Sequence, residues 1–221
     1  MLFGVGVASD LNLRILGADR EPEIDGAQRV TLRTTRGAIR VITHAPGSFS
    51  RLTLCLSGAL GGFDGPSKLY ARLGRGLPAK GIGVARLDYR TPNDFNQCLL
   101  DTMAGLAFLR ALGGDRAALI GHSFGGAVAI NAGTIDPMVK TVIAISSQLA
   151  GAHVVAQLSP RPLLLIHGTA DAILSCETSK MLYERAQEPK TIRLFEGADH
   201  RLGQCIEQVA TLVEDWLVER V

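Results

Sequence analysis

Short apolar runs alternate with longer amphipathic stretches along most of the chain. The runs cover residues 52–56, 83–87, 117–120, 141–145, 163–167 and 191–195, and each has strand length and is bounded by turn residues. Between and after them, helical patterns fall at 68–79, 96–112, 124–132, 178–185 and 206–221. Strands that are apolar on both faces and alternate with helices predict a mainly parallel sheet covered by helices on both sides. The last helix carries Ile206, Val209, Leu212, Val213, Trp216 and Leu217 on one stripe, which makes Trp216 a core anchor. Ahead of this pattern, 29–35 and 38–44 alternate in period two across Arg36-Gly37 and read as a hairpin. Residues 10–28 are polar and mixed, with Asp19-Arg20-Glu21-Pro22-Glu23 as a surface loop or arm. The expectation is one α/β domain over residues 1–221, with 1–28 as a candidate N-terminal arm.

Composition narrows the function classes. A chain of 221 residues with 47% hydrophobic and 20% charged positions is long enough to bury one substantial core and reads as a soluble globular protein. Its net charge of +2 is too small and too evenly spread to argue for nucleic acid or an anionic membrane as partner. Cys55, Cys98, Cys176 and Cys205 show no paired spacing, so neither zinc nor another metal is expected; most read as buried or half-buried thiols in a reducing compartment, and whether any of them pair is not legible. The segment Met1-Leu2-Phe3-Gly4-Val5-Gly6-Val7-Ala8-Ser9 is apolar but lacks a basic lead, so it reads as an ordinary first segment rather than a signal peptide. No apolar stretch approaches a bilayer span, and the default expectation is a cytoplasmic protein.

The chemistry concentrates at Gly121-His122-Ser123-Phe124-Gly125-Gly126, set between the apolar run Ala117–Ile120 and the helix beginning Ala127-Val128-Ala129. Glycines on either side of Ser123 allow a sharp strand-to-helix reversal that lifts its hydroxyl off the sheet edge. The helix that starts there directs free backbone N–H groups at whatever the serine attacks. The plain alternative is a glycine-rich turn with Ser123 as a helix cap. A serine hydroxyl is a weak nucleophile, so the catalytic reading also needs a base and a group to orient it. Two later strands end suitably: 163–167 runs into Gly168-Thr169-Ala170-Asp171, and 191–195 runs into Glu196-Gly197-Ala198-Asp199-His200. Histidine titrates near neutrality and suits the base, while a carboxylate would hold its tautomer.

These three segments, in this order and each after a different strand, resemble the α/β-hydrolase superfamily, in particular its small serine esterases and dienelactone-hydrolase-like proteins. The resemblance runs from about residue 30 to residue 221. It implies nucleophile Ser123, acid Asp171 and base His200, with no cofactor. It also places the oxyanion hole at the backbone N–H groups of Ala59 and Phe124, with Leu60 as the fallback donor, in a loop where Ser57 replaces the family's usual histidine. Leu87-Asp88-Tyr89-Arg90 resembles the family's Asp-x-Arg, but Thr91-Pro92-Asn93-Asp94 replaces the glycine-rich continuation.

Other residues carry competing or plainer readings. Asp199 neighbours His200 but, being adjacent in the chain, is expected to point elsewhere, and Asp101 reads as a solvated or capping carboxylate. His122 and His167 are expected to pack or bond to backbone, while His44 and His153 read as surface residues. Cys205 lacks a nucleophile turn and reads as a core or helix-face thiol. Between the strands 141–145 and 163–167 there is room for only a short helix and turns at 148–161, so no substantial lid is expected; the mouth should be walled by 61–66 and 150–155. The function expected is hydrolysis of a small carboxylic ester through an acyl-enzyme. The alternatives are a thioesterase or peptidase-like acyl hydrolase with the same triad, or a non-catalytic small-molecule receptor on the same fold. Oligomeric state is not legible.

Overall fold

Side chains of a strand alternate between the two faces of a sheet, and in this chain both sets are apolar. The computed structural model describes residues 12–44 and 49–221; the reading of Met1–Ser9 lies outside them. Among the described residues nine strands form one sheet: β1 (Ile15–Arg20), β2 (Gln28–Thr34), β3 (Gly37–His44), β4 (Arg51–Leu56), β5 (Gly83–Asp88), β6 (Arg116–His122), β7 (Val139–Ile145), β8 (Leu163–Gly168) and β9 (Lys190–Phe195). Their order across the sheet is β1-β2-β3-β5-β4-β6-β7-β8-β9. From β5 to β9 every pairing is parallel, and β1, β2 and β3 add an antiparallel meander at one edge.

Five α-helices among the described residues cover the sheet: α1 (Leu69–Gly76), α2 (Phe95–Ala111), α3 (Phe124–Ile135), α4 (Glu177–Arg185) and α5 (Ile206–Arg220). Leu54, Leu119 and Leu165 face one way and pack with Leu106 and Leu109 of α2, Val128 and Ile130 of α3 and Leu182 of α4. Ile120, Ile143 and Ile166 face the other way and meet Leu69 and Leu73 of α1 with Val209, Val213 and Leu217 of α5. Each of these fully buried aliphatic side chains contributes about 1.5–3 kcal/mol of transfer free energy. Trp216 is buried as expected and donates its indole N–H to Thr141 Oγ1 at 2.9 Å, so its polar end is satisfied. Asp94 caps α2 by accepting from Gln97 N at 3.1 Å, which is why that helix begins at Phe95.

Three expectations are corrected. Part of the candidate N-terminal arm, including Asp19 and Arg20, is a strand: β1 pairs antiparallel with β2, and it escaped notice because five of its six residues are exposed, so no apolar alternation marks it. His44 is not on the surface. It is 4% exposed at the end of β3, where Gly74 of α1 leaves space for its ring; a Cβ at Gly74 would lie 2.5 Å from it. Asp101 is neither solvated nor a cap. It is fully buried and accepts from Arg90 N at 2.8 Å and Arg90 Nε at 2.5 Å, and that paired cation is what makes burial of the carboxylate tolerable. No helix among the described residues is long and apolar enough to cross a membrane.

Candidate active site

Ser123 sits between β6 and α3 with φ 56° and ψ −118°, a backbone conformation that costs a non-glycine residue about 1–3 kcal/mol. Hydrogen bonds on both sides hold it there. Its N–H donates to Ile145 O at 2.8 Å, and its carbonyl accepts from Gly126 N at 3.0 Å and Gln148 N at 3.3 Å. The flanking glycines answer to close backbone approach: a Cβ at Gly121 would lie 2.0 Å from Gly125 O, and one at Gly125 would lie 2.3 Å from Ser57 O. The turn is therefore built against its own helix and against the loop after β4.

That β4 loop supplies backbone donors. Among the described residues, no acceptor meets the N–H of Ala59 or Leu60, and Phe124, as the first residue of α3, has no intrahelical acceptor for its own. The loop is pinned by the end of β5. Asp88 accepts from Gly62 N at 2.7 Å through Oδ1 and from Arg40 Nη2 at 2.5 Å through Oδ2. Asp88 therefore shapes the candidate oxyanion loop, a role that sequence reading missed. Thr91-Pro92-Asn93-Asp94 lines no part of the cavity described below.

Asp171 and His200 come together from the loops after β8 and β9. His200 Nδ1 lies 2.6 Å from Asp171 Oδ2, and the carboxylate side chain is fully buried. Asp171 Oδ1 accepts from Ile173 N and Leu174 N, both at 2.8 Å. Burial pushes this carboxyl upward, but the hydrogen bonds from Leu174 N, His200 and Ile173 N together outweigh it and hold it below the ordinary carboxylate range. It therefore faces His200 as an anion at neutral pH. His200 Nε2 and Ser123 Oγ have no hydrogen-bond partner among the described residues. Both residues line one cavity of about 260 Å³, with the β4 loop (Ser57–Gly61, and Gly65), His122, Ile173 and Arg201.

The remaining candidates fall into place around this pair. Asp199 turns away from His200: its Oδ1 accepts from Arg201 N at 2.9 Å and Gly203 N at 3.3 Å, so it shapes the loop. His122 does bond to backbone, with Nε2 3.1 Å from His200 O, and its ring lies 4.7 Å from that of His200. A carbonyl only accepts, so Nε2 of His122 carries the proton; burial pushes this imidazole down to about 4, and it stays neutral. His167 touches more than backbone, reaching the side chains of Asp171 and Ser179 as well as Leu174 O. His153 is exposed, as expected. Cys205 is half-buried with its Sγ toward Leu202 O, and burial pushes the thiol up, away from the reactive range.

One wall of the cavity differs from expectation. The loop at 150–155 does not line it, whereas Ile173 and Arg201 do. Asn131 of α3 draws that loop aside by donating to Gly151 O at 2.6 Å, and Gly151 lies against the ring of Phe95. Between β7 and β8 the chain forms only a single 3-10 turn, Val155–Leu158, so no lid is inserted there.

No protein-family model matches the chain. Over 157 residues it is 29% identical to an uncharacterised Escherichia coli protein, YfhR, a match covering 56% of this chain and 55% of that protein; the chain spans about half the length of the curated relatives it matches. Among solved structures it is similar to the esterase domain of a Rhodothermus marinus protein, with TM-score 0.73 and 22% identity over 88% of this chain and 98% of that one. It is also similar to dienelactone hydrolase from Anabaena variabilis, with TM-score 0.77 and 17% identity over 89% of this chain and 99% of that one. The mostly parallel nine-stranded sheet, its helices on both faces and these neighbours together make this a chain of the α/β-hydrolase fold.

Proposed function

We propose that the chain is a serine hydrolase that cleaves small carboxylic esters, with Ser123 as nucleophile, His200 as base and Asp171 as the carboxylate that orients it. The observation that carries this reading is the pairing of a strained, cavity-lining Ser123 with a His200 whose Nδ1 is held 2.6 Å from a buried carboxylate. An Nδ1–H bonded to Asp171 leaves Nε2 bare and able to take a proton. Ser123 Oγ attacks the ester carbonyl as its proton passes to His200 Nε2. The N–H groups of Ala59 and Phe124, with Leu60 in reserve, stabilise the tetrahedral oxyanion. His200 then protonates the departing alcohol, and water activated by the same nitrogen releases the acid from Ser123. Bonds between nucleophile and base are commonly loose in a free enzyme and tighten around substrate, consistent with the unpartnered Ser123 Oγ and His200 Nε2.

A 260 Å³ cavity fits a small acyl or alcohol group. Four unpaired cysteines fit action in a reducing compartment such as the cytoplasm. The test is covalent labelling with a fluorophosphonate, read by peptide mass spectrometry, beside turnover of acyl esters, thioesters and aminoacyl amides of graded length. Labelling at Ser123 with ester turnover is expected. Faster thioester or amide turnover would move the substrate class, and absence of labelling under native conditions would favour a receptor. Ser123→Ala and His200→Ala are expected to lower kcat by several orders of magnitude and Asp171→Asn by less; more than about a tenth of wild-type turnover in Ser123→Ala removes the assignment.

A further inference from the structure

His167 is a fully buried histidine on β8 that the proposed reaction does not use. Its Nε2 faces two acceptors, Asp171 Oδ2 at 3.0 Å and Leu174 O at 3.0 Å. A carbonyl oxygen cannot donate, so the proton sits on Nε2. Its Nδ1 lies 2.7 Å from Ser179 Oγ, on α4, which is itself fully buried. With Nδ1 bare, the serine hydroxyl must donate to it. The donors therefore run in one direction, from Ser179 to His167 and from His167 to Asp171. Two imidazoles thus converge on one oxygen, since His200 Nδ1 reaches the same Oδ2 at 2.6 Å. With Ile173 N and Leu174 N on Oδ1, Asp171 accepts four hydrogen bonds, the full capacity of a carboxylate.

We propose that His167, held in its Nε2–H form by Ser179, is a positioning residue that fixes the Asp171 carboxylate and shares its charge, so that His200 is held against it in one orientation. The inference rests on Ser123, His200 and Asp171 having the roles proposed above. Burial pushes the His167 imidazole below its ordinary range, against the opposing pull of Leu174 O and Asp171, in keeping with a neutral ring. A charged His167 would neutralise the carboxylate; a side chain without the donor would leave the full negative charge to His200. The groups facing His200 are Asp171 at Nδ1, the neutral His122 ring, Ser123 across the cavity and Arg201 next in the chain, while Asp199 is occupied by the amides of Arg201 and Gly203. Of these, only Asp171 is bonded to His167.

The test compares His167→Asn with His167→Gln. The shorter amide puts a nitrogen near the Nδ1 position, beside Ser179, and falls short of Asp171; the longer one carries a donor toward the Nε2 position. With a short p-nitrophenyl ester, His167→Asn is expected to lower kcat by about 10²-fold, as a misplaced catalytic group does, with KM little changed because His167 does not line the cavity. Its kcat/KM limb should move to higher pH by about half a unit, because an unshared carboxylate favours protonated His200. His167→Gln should recover part of both. A folded His167→Asn with kcat within about threefold of wild type and an unmoved limb overturns the inference, while Ser123 labelling in the same protein shows that the underlying reading still stands. The wild-type protein supplies a readout independent of any variant: nitrogen-15 histidine spectra should give His167 as neutral and protonated on Nε2. An Nδ1–H tautomer or an imidazolium there overturns the inference.

Discussion

Ser123 holds a strain that a glycine at the same place would not feel, because φ 56° with ψ −118° brings a Cβ against its own backbone. Two substitutions at Ser123 are therefore expected to differ in stability. Ser123→Gly should exceed Ser123→Ala by about 1 kcal/mol, roughly 2–4 °C in Tm for a domain this size, even after glycine's greater unfolded-state entropy. A thermal melt in which the alanine variant equals or exceeds the glycine variant would show that the turn is relaxed. At the same scale, His122→Phe should keep the ring packed beside His200 but lose the bond to its carbonyl, lowering kcat about tenfold or more with little change in the Tm. Unchanged kcat would leave His122 as packing alone. The strand-end placement of the candidates Ser123, Asp171 and His200 was legible because each sits in a short local pattern after an apolar run. The backbone bond of His122 was expected, but the roles of Asp88 and His167 were not legible, because their partners are Gly62 and Arg40, and Ser179 with Asp171, and no local pattern marks such pairings.

The elements decide what can reach the serine. The connection from β7 to β8 folds as turns and one 3-10 turn, and its middle is drawn onto α2 and α3 by Asn131 and Phe95. The mouth is flanked by Leu60, 94% exposed, and Ile173, 72% exposed. A long acyl chain would leave most of its methylenes in water, and each one buried is worth only about 0.8 kcal/mol. Turnover across p-nitrophenyl esters from acetate to palmitate should peak at the short end, with no rise as substrate passes its solubility limit. A long-chain maximum with interfacial activation would reveal a covering element in the working protein. The small size of this connection was legible from its length. Its direction was not, since the loop at 150–155 does not line the cavity, whereas Ile173 and Arg201 do.

Across the whole molecule, burial of neutral histidines ties stability to acid, since His44, His122 and His167 are all pushed below the ordinary histidine value by burial. His44 and His122 are each pushed down to about 4, in both cases chiefly by burial. In the unfolded chain they protonate near the ordinary histidine value of 6.5. Between these values the unfolded state binds protons that the folded state refuses, so stability is full above about 6.5 and falls as pH drops toward 4. Each unit of difference corresponds to about 1.4 kcal/mol, so the two sites together cost several kcal/mol at the acid end. Urea midpoints should be level from pH 7 to 8 and decline below 6.5. His44→Leu, which keeps an apolar side chain beneath Gly74, should make that decline shallower. An unaltered slope in the variant would assign the acid loss to other groups.

The chain alone determined the layered architecture, because strands buried on both faces are mainly apolar on both and amphipathic helices must cover them. It also determined the strand-end placement of Ser123, Asp171 and His200, because each follows an apolar run that gives way to glycine and other turn residues. Tertiary structure decided the rest. β1 is exposed along most of its length and is marked only by its pairing with β2. Asp101 is a carboxylate whose burial is permitted by Arg90, and the His44 ring has room only because Gly74 lacks a side chain; neither neighbour is visible from the residue itself. The sharing of Asp171 Oδ2 by two histidines arises only when the loops after β8 and β9 meet, since a hydrogen bond depends on distance in space and not on separation along the chain.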